Sequence, residues 1–271
     1  MNIITVVIAD RLSPTEIDRW AGRLATARET AQPIAPLTDE IPDLGLDDAY
    51  AIAESIVRRR LEAGDRRVGH KIGLTSKAVQ EQLGVDEPDY GSLLDTMQLA
   101  DGASVPMGSL IAPRVELEFA FHLGARLAGP GVDAEQVRRA TVAVQPAIEL
   151  VDSRIVDWRI RLADTVADSA SSAAFAFGGR RVAPEEVDIA DLDVRLVRGG
   201  RELERGNSSA VLGDPCVAVA WLANALGHFG RSLEAGDVVL SGACTRMAPV
   251  MAGDAVVGDF GPLGQIHLEF V

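Results

Sequence analysis

Apolar residues recur at helical spacing through the first sixty or so residues of the chain. Ser13-Pro14-Thr15-Glu16 forms a capping box with proline at the first helical position, which predicts the start of a helix. A second helix is predicted from about residue 46 to residue 63, because apolar residues there form one stripe. The intervening proline-rich residues 32–45 are predicted to form a loop. The pattern therefore predicts a small helical region at the N-terminus.

After the second helix the pattern changes to short β-type runs separated by Gly, Pro and Asp. These runs are residues 68–72, 104–105, 114–122, 147–151, 194–198, 237–240, 255–257 and 265–270. Two further helices are predicted to begin at Asp133 and at Asp214-Pro215. Strands do not alternate regularly with helices, so a doubly wound sheet is not expected. We predict an α+β fold, with a helical N-terminal region over residues 1–65 and a mixed, β-rich domain over residues 66–271.

Composition limits the classes of protein to which the chain can belong. With 271 residues, 47% of them hydrophobic, the chain can bury a sizeable core, and its net charge of −14 argues against nucleic-acid or anionic-membrane binding. The apolar run Ile3–Ala9 is too short and wrongly flanked for a signal peptide, and no segment is expected to be long enough to span a bilayer. Two cysteines, Cys216 and Cys244, are too few for a disulfide framework and are expected to be buried apolar residues. We therefore expect a cytoplasmic protein.

Two carboxylates are interleaved with large apolar residues in the run 114–121. A strand with period two places four residues on one face: Val115, Leu117, Phe119 and Phe121. Glu116 and Glu118 then share the other face, with Cα atoms about 6.5–7 Å apart. Like charges so close favour a hard divalent cation with oxygen ligands. The alternative is an amphipathic strand whose polar face is solvated.

A third acid, Glu149, stands among apolar residues of a predicted buried strand. An unpaired carboxylate there would cost several kcal/mol. Together with Glu116 and Glu118 it would complete an all-oxygen set suited to Mg²⁺ or Mn²⁺. The alternative is an ion pair between Glu149 and either Arg114 or Arg154.

The run 69–76 places Lys71 between apolar neighbours on a strand that is followed by two hydroxyl side chains, Thr75 and Ser76. The Lys71 ammonium and nearby backbone N–H groups could receive a carboxylate. Alternatively, the run is a strand-to-helix turn capped by one of the two hydroxyls. Residues 86–91 and 164–172 are also rich in polar groups, which serve either as turn formers or in a site.

Seven motifs follow one another in the order found in a single family. They are Gly-His-Lys-Ile-Gly-Leu-Thr-Ser-Lys at 69–77, Glu-Pro-Asp-Tyr-Gly at 87–91, Pro-Arg-Val-Glu-Leu-Glu at 113–118, Pro-Ala-Ile-Glu-Leu-Val-Asp-Ser-Arg at 146–154, Asp-Thr-Val-Ala-Asp-Ser-Ala-Ser-Ser at 164–172, Val-Ala-Trp-Leu-Ala-Asn at 219–224 and Ala-Gly-Asp-Val-Val-Leu-Ser-Gly at 235–242. Over residues 40–271 the chain resembles the 2-keto-4-pentenoate hydratases and 4-oxalocrotonate decarboxylases. These are a branch of the fumarylacetoacetate hydrolase superfamily.

This resemblance implies a fumarylacetoacetase-like catalytic domain, a Mg²⁺ or Mn²⁺ ion and a role in the catabolism of aromatic meta-cleavage products. By motif, the metal ligands become Glu116, Glu118 and Glu149. Lys71 and Asp89 become catalytic residues. The residues implied to bind substrate are Leu74, Thr75, Ser76, Ser171 and Ser172. The family also implies a homo-oligomer that can associate with a decarboxylase or aldolase of the same pathway.

The reaction that the resemblance implies is addition of water to 2-hydroxypenta-2,4-dienoate. Alternatives are decarboxylation of 2-oxo-3-hexenedioate (4-oxalocrotonate), hydration of 2-oxo-hept-4-ene-1,7-dioate, and a non-catalytic role in activating a decarboxylase partner. The chain departs from the hydratase pattern at Asp214, where many members have His. Asp214 is expected to cap a helix, so the departure leaves the chemistry intact and concerns substrate preference.

Overall fold

The computed structural model of the chain describes residues 12–76, 80 and 87–271. Three features of the sequence lie outside this part of the chain: the apolar run Ile3–Ala9, Lys77 at the end of the first motif, and Asp86. A helix following Thr75 and Ser76 would also fall largely among residues that are not described.

The two predicted N-terminal helices begin where the sequence places them. Helix α1 spans Pro14–Thr30, α2 spans Leu37–Glu40 and α3 spans Leu46–Glu62. The Ser13 hydroxyl accepts a hydrogen bond from the Glu16 amide, and the Glu16 carboxylate accepts one from the Ser13 amide. The reciprocal pair is the capping box expected from the sequence. Only the short helix α2, inside the predicted loop, was not expected.

The remaining chain contains three further helices and thirteen strands among the described residues. The helices are α4 (Ala134–Ala140), α5 (Leu162–Ala167) and α6 (Pro215–His228). The strands are β1 (Arg67–Gly73), β2 (Asp89–Leu94), β3 (Gln98–Leu99), β4 (Ala103–Val105), β5 (Arg114–Leu123), β6 (Thr141–Val151), β7 (Ser172–Phe177), β8 (Asp193–Arg198), β9 (Arg201–Asn207), β10 (Val238–Leu240), β11 (Ala248–Pro249), β12 (Ala255–Asp259) and β13 (Gln265–Phe270). All eight predicted runs are strands, and β2, β3, β7, β9 and β11 are additional.

Two sheets form the framework. An eight-stranded mixed sheet has the order β2-β1-β10-β5-β6-β7-β3, with β11 paired to β5, and a five-stranded sheet has the order β4-β13-β12-β8-β9. Strands β1 and β10 are parallel, whereas β5 and β6 form a long antiparallel pair. Mixed sheets with few interspersed helices confirm the predicted α+β class.

One face of the eight-stranded sheet packs into the main core. The apolar residues of β5 predicted to share a face, Val115, Leu117, Phe119 and Phe121, all lie in this core. Phe119 meets Phe260 edge to face, with ring centroids 5.4 Å apart. Gly258 of the second sheet lets the sheets approach, because a Cβ there would stand 2.8 Å from the Leu117 side chain. The period-two interpretation of β5 is therefore confirmed on its apolar side.

The sheet curves towards its other face and encloses a second, smaller interior. Strands β2 and β7 are separated by four strands in the sheet order, yet they contact each other. The apolar residues that meet inside are Leu93, Leu94, Met97, Ala120, Ala147, Phe175 and Leu240, with Val57 of α3. Glu116 and Glu118 have the same strand parity as Ala120, so their side chains enter this curled interior.

The N-terminal helices pack against the segment that follows β6. Trp20, Leu24 and Ile52 of α1 and α3 share a buried cluster with Ile155 and with three residues of α5 (Ala163, Val166 and Ala167). Helix α5 leads directly into the polar run that ends at residue 172. The N-terminal helical region therefore packs against the start of this polar run.

Helix α6 is the apolar helix of the second half of the chain. The segment Ser208–His228 is long and apolar enough to cross a membrane by length and composition, so the expectation that no segment reaches this length was wrong. Half of its apolar window is buried inside the protein. Asp214 caps α6 by accepting a hydrogen bond from the Cys216 amide at 2.8 Å, as the sequence predicts.

Candidate active site

Three carboxylates converge in the curled interior. Glu116 on β5 lies directly opposite Glu149 on β6, and Glu118 follows two residues along the same face. One carboxylate oxygen from each residue lies within 4.8 Å of the others. Glu118 and Glu149 are fully buried, and Glu116 is half-buried. The alternative of a strand with a solvated polar face therefore does not hold.

The oxygens of this cluster are short of hydrogen-bond donors. Glu118 Oε2 accepts from the Gly242 amide at 2.8 Å, but Glu118 Oε1 and both oxygens of Glu149 lack a hydrogen-bond partner among the described residues. Buried polar atoms in native proteins nearly always have partners, so orphaned oxygens call for a ligand. Hard oxygen donors at this spacing suit a divalent cation such as Mg²⁺ or Mn²⁺.

The two arginines that were the alternative partners of Glu149 make other contacts. The Arg114 guanidinium stacks over the Trp158 ring at 4.4 Å, and Arg154 pairs with Asp168. The cation beside Glu149 is Lys71 instead, whose Nζ lies 3.0 Å from Oε2 without hydrogen-bond alignment.

Burial and mutual repulsion act on the protonation of the cluster. Burial, reinforced by the charges of Glu149 and Asp89, raises the pKa of Glu116 to about 7 against the opposing effect of Lys71. Burial and the Glu149 charge raise the pKa of Glu118 well above its usual value. Ionisation of both Glu116 and Glu118 is therefore unfavourable in the protein alone, and a bound cation would supply the missing compensation.

Lys71 reaches the cluster from β1, which lies next to β2 and β10 in the sheet. Its side chain is 3% exposed, and Nζ donates a hydrogen bond to the Ala170 carbonyl at 3.3 Å. Burial alone would lower the pKa of Lys71, but the charges of Glu149, Asp89 and the other carboxylates outweigh it and raise the pKa above its usual value.

Asp89 begins β2 and lies opposite Gly73 of β1. Its Oδ2 accepts from the Thr165 hydroxyl at 3.3 Å, whereas Oδ1 has no partner among the described residues. Burial raises the pKa of Asp89, with Lys71 opposing. A Cβ on Gly73 would stand 2.2 Å from Asp89 Oδ1 and 3.3 Å from Lys71 Nζ, so only glycine admits both groups here. The structure thus brings Asp89 and Lys71 together.

The predicted substrate-binding residues after β1 lie at the edge of this interior. Leu74 has a φ of +57°, and its carbonyl accepts from the Gln80 side chain at 2.7 Å. Thr75 is buried against Gly242, where a Cβ would stand 2.4 Å from the Thr75 hydroxyl oxygen. Since Gly242 also binds Glu118, Thr75 adjoins the carboxylate cluster. Ser76 is half-buried beside it.

The other two predicted substrate-binding residues end the polar run 164–172. Ser171 and Ser172 are buried, and neither hydroxyl has a partner among the described residues. Sequence reasoning marked this run as polar but missed two groups that the structure brings to the site. These are the Ala170 carbonyl, which contacts Lys71, and the Thr165 hydroxyl, which contacts Asp89. A backbone carbonyl has no signature in the sequence, whereas Thr165 could have been found from its place in the fifth motif.

Comparison with known proteins agrees with this arrangement. A family model described as fumarylacetoacetate (FAA) hydrolase, C-terminal, matches residues 70–271. The chain is 41% identical to a 2-keto-4-pentenoate hydratase of Paraburkholderia xenovorans, with 96% of both chains covered, and 45% identical to a 2-hydroxyhexa-2,4-dienoate hydratase of Comamonas testosteroni, with 94% and 97% covered. It superposes on 4-oxalocrotonate decarboxylase from Pseudomonas putida G7, complexed with magnesium and adipate, with a TM-score of 0.95 at 35% identity, covering 97% of this chain and 100% of that one. The chain therefore belongs to the fumarylacetoacetate hydrolase family.

Proposed function

We propose that the protein is a Mg²⁺- or Mn²⁺-dependent hydratase that adds water to 2-hydroxypenta-2,4-dienoate and yields 4-hydroxy-2-oxopentanoate. The observation that carries this proposal is a buried cluster of three carboxylates with orphaned oxygens beside Lys71 and Asp89. The chain is 41% identical to a protein named 2-keto-4-pentenoate hydratase and 45% identical to one named 2-hydroxyhexa-2,4-dienoate hydratase, over nearly its full length, which supports the reaction class. Such a hydratase would serve the catabolism of aromatic meta-cleavage products.

Glu116, Glu118 and Glu149 are the proposed metal ligands. Among the described residues, three oxygens of this cluster accept no hydrogen bond, and one of them, Glu149 Oε2, lies beside Lys71 Nζ. Such a set of carboxylates fits a hard divalent cation and leaves coordination positions for substrate. When bound, the cation supplies Lewis-acid stabilisation of the negative charge that develops on the substrate's C2 oxygen.

Lys71 and Asp89 are the proposed proton-transfer residues. In the reaction the substrate loses the proton of its C2 hydroxyl and gains one at C5, which gives an α,β-unsaturated ketone; water then adds with its oxygen at C4 and a proton at C3. Lys71 Nζ, held between Glu149 and the Ala170 carbonyl, carries a proton and a positive charge towards the developing enolate. Asp89 Oδ1, buried and without a donor, orients water and accepts its proton.

The remaining predicted residues are proposed to shape the substrate pocket. Hydroxyls of Ser171 and Ser172 are buried and unpartnered, so they are available to the polar end of a small acid. Leu74, Thr75 and Ser76 would close the opposite edge next to Gly242.

A second candidate function is decarboxylation of 4-oxalocrotonate. The specific observation in its favour is the TM-score of 0.95 to a 4-oxalocrotonate decarboxylase that was solved with magnesium and the dicarboxylate adipate. Loss of CO₂ from a vinylogous β-keto acid needs the same electron sink as hydration, so the carboxylate cluster serves either reaction. The same site would also suit hydration of 2-oxo-hept-4-ene-1,7-dioate, or a binding role in which the protein activates a decarboxylase.

We also propose the organisation of the protein in the cell. Residues 1–65 would form a helical region on a catalytic domain of residues 66–271. The protein would act in the cytoplasm, in keeping with two free, buried cysteines. It would form a homo-oligomer and associate with a decarboxylase or aldolase that handles its substrate or product.

The test is a direct assay with three substrates: the pentadienoate, 2-oxo-3-hexenedioate and 2-oxo-hept-4-ene-1,7-dioate. With Mn²⁺, the purified protein is expected to turn over the pentadienoate faster than the other two substrates, which is followed as a loss of near-UV absorbance. The reaction should stop when a chelator is added and resume when Mn²⁺ is restored. CO₂ release from the hexenedioate would favour the decarboxylase instead. Absence of turnover with all three would leave only the binding role.

A further inference from the structure

We propose that Arg154 and Asp168 are positioning residues for this reaction: their buried ion pair holds the turn Ser169–Ser171 in the shape that fixes Lys71 and the pocket hydroxyls. The proposal rests on the hydratase function above and explains how Lys71 and the pocket hydroxyls are held in position. Arg154 and Asp168 act through the turn rather than on substrate.

The ion pair clasps both ends of the turn. Arg154 Nε lies 2.5 Å from Asp168 Oδ1, and the Arg154 amide donates to Asp168 Oδ2 at 3.0 Å. The two terminal nitrogens of the guanidinium donate to the carbonyl of Asp168 at 2.6 Å and to that of Ser172 at 3.2 Å. Asp168 immediately precedes the turn and Ser172 immediately follows it, so one rigid, planar group sets the separation of the two ends.

The turn itself is in a conformation that needs such support. Ser169, Ala170 and Ser171 have φ values of +55°, +53° and +52°. Residues other than glycine rarely enter this left-handed region, and a run of three persists only where the surroundings impose it. The turn also packs closely against β2 at Gly91. A Cβ at this position would stand only 2.4 Å from the Ser169 carbonyl oxygen.

The turn contacts several parts of the site at once. The Ala170 carbonyl accepts the hydrogen bond from Lys71 Nζ, and the last residue of the turn, Ser171, carries one of the unpartnered hydroxyls. Gly91, against which the turn packs, is two residues from Asp89 on β2. A change in the turn would therefore displace the acceptor of Lys71 and one wall of the pocket together.

Arg154 also connects the turn to the strand that carries a proposed metal ligand. Its guanidinium donates to the carbonyl of Asp152, just beyond the end of β6, and Glu149 lies on that strand. The Asp152 amide in turn donates to the Ser171 carbonyl at 2.8 Å. These contacts fix the turn relative to Glu149 without contacting the carboxylate cluster, so metal binding and turn geometry can be separated by mutation.

The first test compares Arg154→Lys with Arg198→Lys in the intact protein. Lysine keeps the charge beside Asp168 but cannot reach both carbonyls, so we expect kcat to fall by between about tenfold and a hundredfold through misplacement of the reacting groups. KM and the Mn²⁺ dissociation constant, measured by electron paramagnetic resonance, should change by less than about twofold if positioning alone is affected. Arg198 makes similar bonds, to the Asp254 carboxylate and the Pro249 carbonyl at 3.0 Å, in the second sheet, and its replacement should leave kcat unchanged.

The second test loosens the turn and leaves the ion pair intact. Glycine adopts positive φ without strain, so Ala170→Gly should keep or raise the thermal midpoint while it lowers kcat through a less rigid turn. Ala31→Gly is the matched control, because Ala31 also has a positive φ, +50°, but lies at the end of α1 and not in the turn. It should leave kcat at the wild-type value.

Wild-type kcat and KM in a folded Arg154→Lys variant would overturn the proposal. If Arg154→Lys does not fold, Ala170→Gly decides, and wild-type kcat in that variant would likewise overturn it. Failure of the proposed function is a different result, since the wild-type protein itself would then not hydrate the pentadienoate.

Discussion

Two buried groups of charges lie close together in this molecule and differ in how they are compensated. Arg154 and Asp168, 5% and 2% exposed, form an ion pair in which the guanidinium and the carboxylate are both hydrogen-bonded. In the carboxylate cluster, by contrast, Glu118 and Glu149 are fully buried but retain three oxygens without a donor among the described residues.

The difference separates a structural use of buried charge from a functional one. A buried ion pair with its hydrogen bonds satisfied leaves little free energy to be gained from a ligand, and removal of one partner is costly. Buried carboxylates with free oxygens disfavour their own ionisation and gain most from a cation. Mutations in the carboxylate cluster should therefore reduce activity more than stability, whereas mutations that break the ion pair should reduce stability strongly.

Glu118→Gln gives the largest expected effect and tests the functional side of the comparison. Turnover of the dienoate should fall on the order of 1,000-fold, which corresponds to several kcal/mol of lost transition-state stabilisation by the cation. The unfolding free energy of the metal-free protein should not fall, because a buried acid is replaced by a neutral amide of the same shape. Steady-state kinetics and urea unfolding measure the two quantities.

The matched control is Glu269→Gln, on the exposed face of β13, which should change neither quantity. Full activity in Glu118→Gln would contradict the ligand assignment. A large loss of stability would show that this carboxylate is structural.

Asp168→Asn tests the structural side. It leaves the buried Arg154 charge without its partner, so the free energy of unfolding should fall by about 3–5 kcal/mol. Asp39→Asn is the control, because the pair between Asp39 and Arg159 at 3.1 Å is exposed and should contribute no more than about 1 kcal/mol. The free energy of unfolding is measured with urea. Equal decreases in the two variants would contradict the proposed distinction between a buried pair and a surface pair.

His70 shows a third way to bury a titratable group, which is to keep it uncharged. Burial, with help from the charges of Arg231 and Arg67, lowers the pKa of His70 to about 3. The unfolded chain takes up a proton near pH 6.5 that the folded protein resists, so stability from this group is present above pH 6.5 and is lost as the pH falls towards 3. The expected loss is about 1.4 kcal/mol for each pH unit in that window.

Urea unfolding of His70→Gln between pH 7 and pH 4 measures this contribution. The variant should lose a smaller amount of stability with acid than the wild type does, whereas His228→Gln, at the exposed end of α6, should behave like the wild type. Some acid sensitivity should remain, because burial also lowers the pKa of His122 to about 4. An unchanged acid response in His70→Gln would show that its burial has no energetic consequence.

Much of the fold followed from the period of the sequence. The alternation in β5 correctly divided its residues between an apolar core face and a carboxylate face, and the capping patterns at Ser13, Asp133 and Asp214 each marked a helix start. Strands with weak β-forming patterns were missed. In β2 a glycine interrupts the run, β7 is rich in alanine, and β9 is a charged edge strand.

The site was only partly predictable, because its geometry depends on the curl of the sheet. The sequence grouped Glu116, Glu118 and Glu149, but neither it nor the alternative of an arginine partner identified Lys71 as the cation beside Glu149. Nothing local shows that β1 brings Lys71 across to β6. The sequence also did not predict the left-handed backbone of the turn Ser169–Ser171. Serine and alanine carry no signal for a left-handed backbone, and the contact with Arg154 that we propose supports it joins residues 14 positions apart in sequence.

The most direct test of the central claim is a Mn²⁺ titration of the wild-type protein and of Glu149→Gln, followed by electron paramagnetic resonance. We expect one bound Mn²⁺ per chain in the wild type, and a rise in unfolding free energy of about 2.7 kcal/mol when free Mn²⁺ reaches a hundred times its dissociation constant. Both effects should be lost or strongly reduced in Glu149→Gln. Equal Mn²⁺ binding by the two proteins would contradict the assignment of the carboxylate cluster as the metal site.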